Sequence, residues 1–336
     1  MRPTRLTGAA RAARSTAVAG LAVLVLTAGC TAGGTAGGPA GPSSAPGDPA
    51  GPTAAPPGIG TVPRLVSAAD RTLPIEEFLL GNAGHDRLDR AKAVLVRRCM
   101  ARFGIAYRAP AAPREFRPRT LTQLRYGITD AAAAARLGYT PAGAGRAKPH
   151  RVAAGRPLPA REALVLNGTD DPRVKPGSAG AGGSRRVDGR PVPAGGCTGE
   201  ALRALHADDR QAGGDAPLAD RVNYATYELS RRDPRVTAAY GRWSACMRTH
   251  GYTYAGPEEA AADPAWRTAK ATARERAVAA ADARCKARTD LVGIWYTVEV
   301  AYQKRLVGQH AGELAKIGAD LRLRQRLAAA VLDGER

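Results

Sequence analysis

The chain has 336 residues and a formal net charge of +20. Arginine supplies most of the positive charge, and alanine, glycine and proline are abundant, which is the residue usage of a GC-rich genome. The arginines come without a helix-turn-helix, zinc-finger or RRM-type signature, so we expect no nucleic-acid partner. A surface this basic does attract anionic lipid headgroups and anionic wall polymers.

The N-terminus has the layout of a secretory signal peptide. Residues 1–29 combine a basic start, an apolar run from Ala17 to Leu26 and small residues before Cys30. The run is too short and wrongly flanked for a permanent membrane span. "LTAGC" resembles the lipobox of bacterial lipoproteins, whose final cysteine is acylated, although Thr27 stands where leucine is commoner. We expect a lipid on Cys30, palmitate included, that anchors the protein in the cell membrane on its extracytoplasmic face. The alternative is an ordinary signal peptide with a chance cysteine.

Residues 31–60 read "TAGGTAGGPAGPSSAPGDPAGPTAAPPGIG". Only Asp48 and Ile59 in this stretch are not Gly, Ala, Pro, Ser or Thr. Such a segment has nothing to bury, so residues 30–62 are predicted to be a disordered tether. The chain beyond it is long enough for a sizeable core.

A short pattern occurs twice in this chain, as "RCMARFGIAYRAP" from Arg98 and "ACMRTHGYTYAGP" from Ala245. The chain has 3 methionines, and two of them lie in these stretches, so the match is hard to ascribe to chance. The shared positions are Cys99/Cys246, Met100/Met247, Gly104/Gly251, Tyr107/Tyr254 and Pro110/Pro257. We interpret the pattern as a duplication, which predicts a mostly α fold of two related helical units, 63–215 and 216–336, with short extended segments.

Each repeat ends an amphipathic helix. Apolar positions recur at spacings of three and four, namely Leu88, Ala91, Leu95, Cys99 and Phe103 in the first, and Val236, Tyr240, Trp243, Cys246 and His250 in the second. Asp233 and Pro234 are suited to begin the second helix. Gly104 and Gly251 stand where a left-handed C-terminal cap belongs. Each repeated cysteine is therefore predicted on the buried face, one turn before its helix stops.

Four cysteines remain besides Cys30, and an even number in an exported chain favours two disulfides. They are Cys99, Cys197, Cys246 and Cys285, which allow three pairings. If the units are copies, the pairs are Cys99 with Cys197 and Cys246 with Cys285, each stabilising the fold by about 4 kcal/mol.

A metal site is the competing interpretation of the second repeat. Cys246, Met247 and His250 are soft ligands at helical spacing that suit Cu(I). The first repeat has Phe103 at the place of His250, so the ligand set is not repeated. We therefore predict a structural role for the repeat, with no metal site and no cofactor.

The segment "YGITDAAAAARLGY" predicts a short helix, capped by Thr129 or Asp130 and ended by Gly138, that packs on the first unit. An insertion loop follows at about 140–196, where a composition rich in glycine, proline and arginine favours disorder.

In the second unit, Asp263 and Pro264 mark another helix start. Beyond Cys285 the spacing predicts one long amphipathic helix to the end of the chain. The far end of that helix, "LRLRQRL", is free to leave the core, where it would lie on a membrane surface, pair with a partner helix or remain solvated.

No catalytic motif accompanies these features: there is no G-x-S-x-G, no H-E-x-x-H, no P-loop and no Rossmann glycine fingerprint. We name no catalytic residue and expect a non-catalytic binding or structural role at the cell envelope. The expected partners are the lipid bilayer, through acylated Cys30, and an anionic wall polymer or an envelope protein. The alternative is an envelope enzyme, such as a hydrolase, whose acidic residues are brought together by the fold.

The lipobox-like segment, the tether, the Cys-Met repeat, "RYGITDAAAAARLGY" and "WYTVEVAYQKR" together resemble the uncharacterised lipoproteins of high-GC Gram-positive bacteria. The resemblance spans most of the chain beyond the tether. That family has no assigned activity, so the resemblance implies an address at the envelope and no chemistry.

Overall fold

The computed structural model describes residues 55–109, 118–141, 144, 158–171, 173–174, 181, 185–206 and 216–334. They belong to one compact unit, which runs from Asp48 to Arg336. The unit is mostly α-helical, as predicted, and the strands within the described residues form one two-stranded sheet. The predicted signal peptide, Cys30 and most of the predicted tether lie outside the described residues. Of the helices described, none is both long and apolar enough to cross a membrane.

The described part of the chain before residue 216 holds a 3₁₀ helix, Pro74–Phe78, and five α-helices. The α-helices are α1 (Asn82–Ala101), α2 (Thr122–Arg125), α3 (Ala131–Leu137), α4 (Ala160–Asn167) and α5 (Gly196–Ala204). Between α4 and α5, strands β1 (Arg186–Val187) and β2 (Arg190–Pro191) pair antiparallel.

From residue 216 onward the described chain is helical almost throughout. The α-helices are α6 (Pro217–Arg231), α7 (Pro234–Thr249), α8 (Pro257–Ala262), α9 (Ala273–Thr289), α10 (Leu291–Gln309) and α11 (Ala311–Asp333). A second 3₁₀ helix, Pro264–Trp266, follows α8. Helix α10 packs against α6, α7 and the Pro74–Phe78 helix, so it lies at the centre of this unit.

Helices α1 and α7 end in the same way, inside the two repeated stretches. Gly104 and Gly251 have φ angles of 68° and 81°, as the predicted left-handed caps require. The N–H of the residue after each glycine donates to the carbonyl of Met100 at 3.2 Å and of Met247 at 3.1 Å, which is the Schellman pattern. Both methionines have no exposed surface. The repeat is therefore a structural helix stop, as predicted, and its methionines fill core space.

The two disulfides pair as predicted from the duplication. Cys99 joins Cys197 and links α1 to α5, with 5.5 Å between the Cα atoms. Cys246 joins Cys285 and links α7 to α9, with 5.7 Å between the Cα atoms. The bridges span 98 and 39 residues of sequence. The chain-entropy relation assigns stabilisations of about 4.7 and about 3.9 kcal/mol to loops of these lengths.

The inner face of α10 carries a buried carboxylate. Glu299 has no exposed surface, and its Oε1 accepts a hydrogen bond from Arg125 Nε at 2.6 Å. Tyr126 Oη donates to Oε2 of the same carboxylate at 2.9 Å. Burial raises the pKa of Glu299, and the nearby Arg125, Tyr126 and Gln303 counteract that rise. The pair ties α2, from the first predicted unit, to α10 of the second.

Helix α3 packs on the second predicted unit, contrary to the prediction that it packs on the first. Asp130 caps it through the N–H groups of Ala132 and Ala133, and Gly138 ends it with a φ of 64°. The predicted start and end of this helix are therefore confirmed. The face of α3 then lies along α9, because small alanines on both helices allow close approach.

Part of the predicted insertion loop is ordered, contrary to the disorder favoured for it. Helix α4 ends at Gly168, whose left-handed backbone lies so close to Gly196 that a Cβ on either residue would overlap the other's backbone. The β1–β2 hairpin turns at Asp188 and Gly189, with φ angles of 48° and 77°, as a two-residue turn requires. The segment "LPAREALVLNG" contains the helix and the glycine that ends it, and "VDGRP" contains the turn residues of the hairpin. Both lie within a stretch whose overall composition is rich in glycine.

The helix predicted to start at Asp263 and Pro264 is a single 3₁₀ turn. The Asp263 side chain caps it by accepting from Ala265 N–H, and the indole of Trp266 then donates to the Ala260 carbonyl at 2.7 Å, which closes the chain back on α8. The long helix α9 begins only after Thr272, whose hydroxyl accepts the Glu275 N–H. The predicted helix start at Asp263 is therefore confirmed, but the helix that begins there is short.

The predicted single C-terminal helix is two helices, α10 and α11, with a break at His310. Gly308 and Gly312 flank the break, where helix propensity is low. Helix α11 then packs along α1, and Leu321, Arg324 and Ala328 are buried. The segment "LRLRQRL" therefore stays on the core, contrary to the prediction that it is free to leave.

The buried pair of Arg125 and Glu299 yields a prediction about stability. Arg125→Ala leaves a buried carboxylate without its cation, so the free energy of unfolding should fall by about 3–5 kcal/mol. Arg119→Ala is the matched control, because Arg119 pairs with Asp70 at 3.3 Å on the exposed surface. The control should change stability by less than about 1 kcal/mol. Urea unfolding measures both, and equal losses would contradict the role given to Arg125.

The disulfides yield a second stability prediction. Cys246→Ser should lower the free energy of unfolding by about 2–5 kcal/mol and leave Cys285 as a free thiol. Cys99→Ser should leave Cys197 free instead. Thiol alkylation under non-reducing conditions, followed by peptide mapping, identifies the free cysteine in each variant. A free Cys197 in the Cys246→Ser protein would show that the bridges exchange.

Candidate functional site

The surface around residues 72–81 holds the open hollows that we take as the candidate site. This segment contains the Pro74–Phe78 helix and leads into α1. Ile75 N–H donates to Gln303 Oε1 of α10 at 3.0 Å, in the buried interior. The two carboxylate oxygens of Glu76 accept from the N–H groups of Leu73 at 2.8 Å and Leu121 at 3.2 Å. The segment is therefore held from both sides.

A groove of about 450 Å³ lies between this segment, the start of α1 and the middle of α11. Its floor is apolar and comes from Leu79, Leu80, Gly318 and Leu321. Its rim carries the charged side chains of Glu77, Arg87, Arg322 and Arg326. The groove is thus an apolar slot edged by three guanidinium groups and one carboxylate.

Helices α1 and α11, which form two sides of the groove, are joined by the side chain of Gln325. Its Nε2 donates to the Gly84 carbonyl at 3.2 Å, and its Oε1 accepts from Arg87 at 2.9 Å. Gly84 permits this approach, since a Cβ there would stand 3.2 Å from Gln325. Arg322 and Arg326 are exposed, and neither has an acidic partner within the part of the chain that the structure describes.

Two further hollows border the same segment. One, of about 220 Å³, has His85 and Arg119 among its lining residues. The other, of about 620 Å³, is lined by Tyr296, Val300 and Lys304 of α10 together with residues of the segment. Cationic groups therefore occur in all three hollows, which makes this the face where the basic composition meets concave surface.

The buried carboxylates of the described chain do not line these hollows. They are Asp233, Glu275, Asp282 and Glu299. Each has a partner inside the fold: Arg235 for Asp233, the Tyr139 N–H for Glu275, Lys286 for Asp282 and Arg125 for Glu299. Burial raises the pKa of Asp282, and Lys286 opposes that rise. These four buried carboxylates are therefore engaged in contacts inside the fold.

The cysteines named from the sequence fall in two places. Cys99, Cys197, Cys246 and Cys285 form the two bridges and lie away from the groove, while Cys30 lies outside the described residues. The groove was not predicted from the sequence. Arg322 and Arg326 on its rim belong to "LRLRQRL". Leu79, Leu80 and Arg87 come from residues some 240 positions earlier, and no local sequence pattern predicts that they meet α11.

Comparison of the chain with protein-family models, with curated proteins and with solved structures finds no match. The resemblance to lipoproteins of high-GC Gram-positive bacteria therefore stays a prediction from the sequence.

Proposed function

We propose that this protein is a lipid-anchored lipoprotein of the extracytoplasmic face of the cell membrane, and that it binds an anionic wall polymer without catalysing a reaction. The anchor rests on "LTAGC", where Cys30 is the residue to be acylated. The address is supported by the two disulfides, because such bridges persist in oxidising compartments. The tether that follows Cys30 would hold the folded unit away from the bilayer.

The groove between α1 and α11 is the observation that carries the binding role. Guanidinium groups bind phosphate and carboxylate through paired N–H donors, and Arg87, Arg322 and Arg326 stand around one slot. The apolar floor suits the carbon skeleton of a polymer repeat, while the rim suits its charge. A volume of about 450 Å³ holds a small-molecule-sized unit, so one repeat of an extended anionic chain fits better than a folded protein surface.

The anchor is tested by Cys30→Ala in cells that export the protein. The variant should leave the membrane fraction or remain unprocessed, because no cysteine is then available for acylation. Fractionation and the mass of the N-terminal peptide measure this. Normal processing with unchanged membrane retention would contradict the proposed lipid anchor at Cys30.

The binding role is tested with a chain that starts at residue 30 and carries Cys30→Ala, and with polyanionic polymer purified from cell walls. Arg322→Ala combined with Arg326→Ala should weaken binding by about tenfold or more, because two charged donors are lost. Added salt should weaken binding of the unchanged protein as well.

The matched control is Arg242→Ala combined with Arg284→Ala, which removes the same charge from exposed positions on α7 and α9 that do not line the groove. The control should bind almost as tightly as the unchanged protein. Equal loss in both double variants would mean that net charge, and not the groove, holds the polymer.

A further inference from the structure

The second disulfide has an imidazole beside its sulfur atoms. The Sγ atoms of Cys246 and Cys285 and a ring nitrogen of His250 all lie within 4.8 Å of one another. Within the described residues, this is the one such group of three His, Cys, Asp or Glu side chains. Both cysteines are buried, whereas His250, at the C-terminal cap of α7, is exposed. The bridge therefore has an inner side in the core and an outer side at the surface.

The first disulfide lacks this feature, although it ends the equivalent helix. Phe103 stands at the place of His250 and is 6% exposed, packed in the same apolar cluster as Cys99 and Cys197. A phenyl ring offers no ligand atom. The two copies of the repeat thus differ in one chemically decisive position, and the chain supplies its own comparison.

We propose that, once reduced, Cys246 and Cys285 together with His250 form a binding site for a thiophilic d¹⁰ ion, Zn²⁺ or Cu⁺. Reduction by two thiols, 2 RSH, opens the bridge to two cysteine thiols and releases the disulfide RSSR. The ion then binds the two sulfurs as thiolates, and two protons leave. Two thiolates and one imidazole are a ligand set that both ions favour.

The geometry asks for little movement. With metal–sulfur bonds of about 2.3 Å, two thiolates on one tetrahedral ion lie about 3.8 Å apart. The three ligand atoms already fall within 4.8 Å of one another, a separation that the ligands of one ion can also have. Zn²⁺ would take water at its fourth position from the exposed side of His250, while Cu⁺ is satisfied by three ligands.

The bound ion would link the same two helices as the disulfide. Cys246 lies near the end of α7 and Cys285 lies on α9, and the two helices pack directly on each other. Ion binding and disulfide formation exclude each other, since both use the same sulfurs. The α7–α9 joint would therefore exist in an oxidised and a metal-held form. The ion site needs neither the groove nor a bound polymer.

The test uses the full chain with Cys30→Ser, reduced by a phosphine without oxygen and titrated with Zn²⁺ or Cu⁺ against a coloured chelator. We expect one tightly bound equivalent of at least one of the two ions per chain. His250→Phe, which copies the first repeat at an exposed position, should weaken that binding at least about tenfold, because one of three ligands is lost. Failure of both ions to bind, or unchanged affinity in His250→Phe, would overturn the proposal.

A second readout locates the ion. All four cysteines are buried, so thiol alkylation of the reduced chain is compared with and without the ion. The ion should slow the reaction of Cys246 and Cys285 and leave the rates of Cys99 and Cys197 unchanged. Circular dichroism of the reduced chain should keep its helical signal, since the site needs α7 and α9 in place. Equal protection of the two pairs, or protection of neither, would show that the ion binds thiols at large and would overturn the assigned site.

Discussion

The buried contact between Arg125 and Glu299 is the constraint on which the rest of the fold depends. A carboxylate without exposed surface is tolerated only if its lone pairs are met by donors of fixed position. Arg125 meets that demand, and its guanidinium also donates to the Asn223 carbonyl of α6 at 3.0 Å and lies over the ring of Tyr227. One side chain from α2 thereby sets the distance between α6 and α10.

Two more polar side chains on this face of α10 are paired with other parts of the chain. Trp295, one turn before Glu299, donates to Ser230 of α6 at 3.0 Å. Gln303, one turn after it, accepts the backbone N–H of Ile75. Trp295, Glu299 and Gln303 of α10 therefore each have a partner from a different part of the chain. Such satisfied contacts fix one packing arrangement, because any shift of α10 would leave several buried groups unpaired at once.

A second buried pair holds the neighbouring segment. Lys286 of α9 binds Asp282 at 3.0 Å, and its ammonium also donates to the Ile128 carbonyl at 3.1 Å. Gly127 makes room for it, since a Cβ there would come within 2.7 Å of that nitrogen. The stretch from Arg125 to Tyr139 is thus attached to α10 by one ion pair and to α9 by the hydrogen bond that Lys286 donates to Ile128. It belongs physically to the helices of the later half, although it precedes them by some 150 residues.

The contrast between what the sequence predicted and what it did not follows from the range of the interactions. Helix stops at Gly104 and Gly251 were predictable, because a left-handed cap is written within a few residues. The disulfide pairing was predictable because the two copies of the repeat restrict it. The placement of α3, the break at His310 and the packing of α11 depend on partners far along the chain, so local periodicity could not reveal them. For the same reason, nothing near Glu299 or Gln303 in the sequence marks either residue as buried.

The candidate groove inherits its shape from this interior. The Pro74–Phe78 helix is held on α10 by the Gln303 contact, and the wall of α11 is held on α1 by Gln325. The floor is therefore fixed before any ligand arrives, which lowers the ordering cost of binding. Arg322 and Arg326, by contrast, stand on the exposed rim of this fixed frame. The proposed polymer would thus meet an apolar floor held by the interior, edged by long and exposed charged side chains.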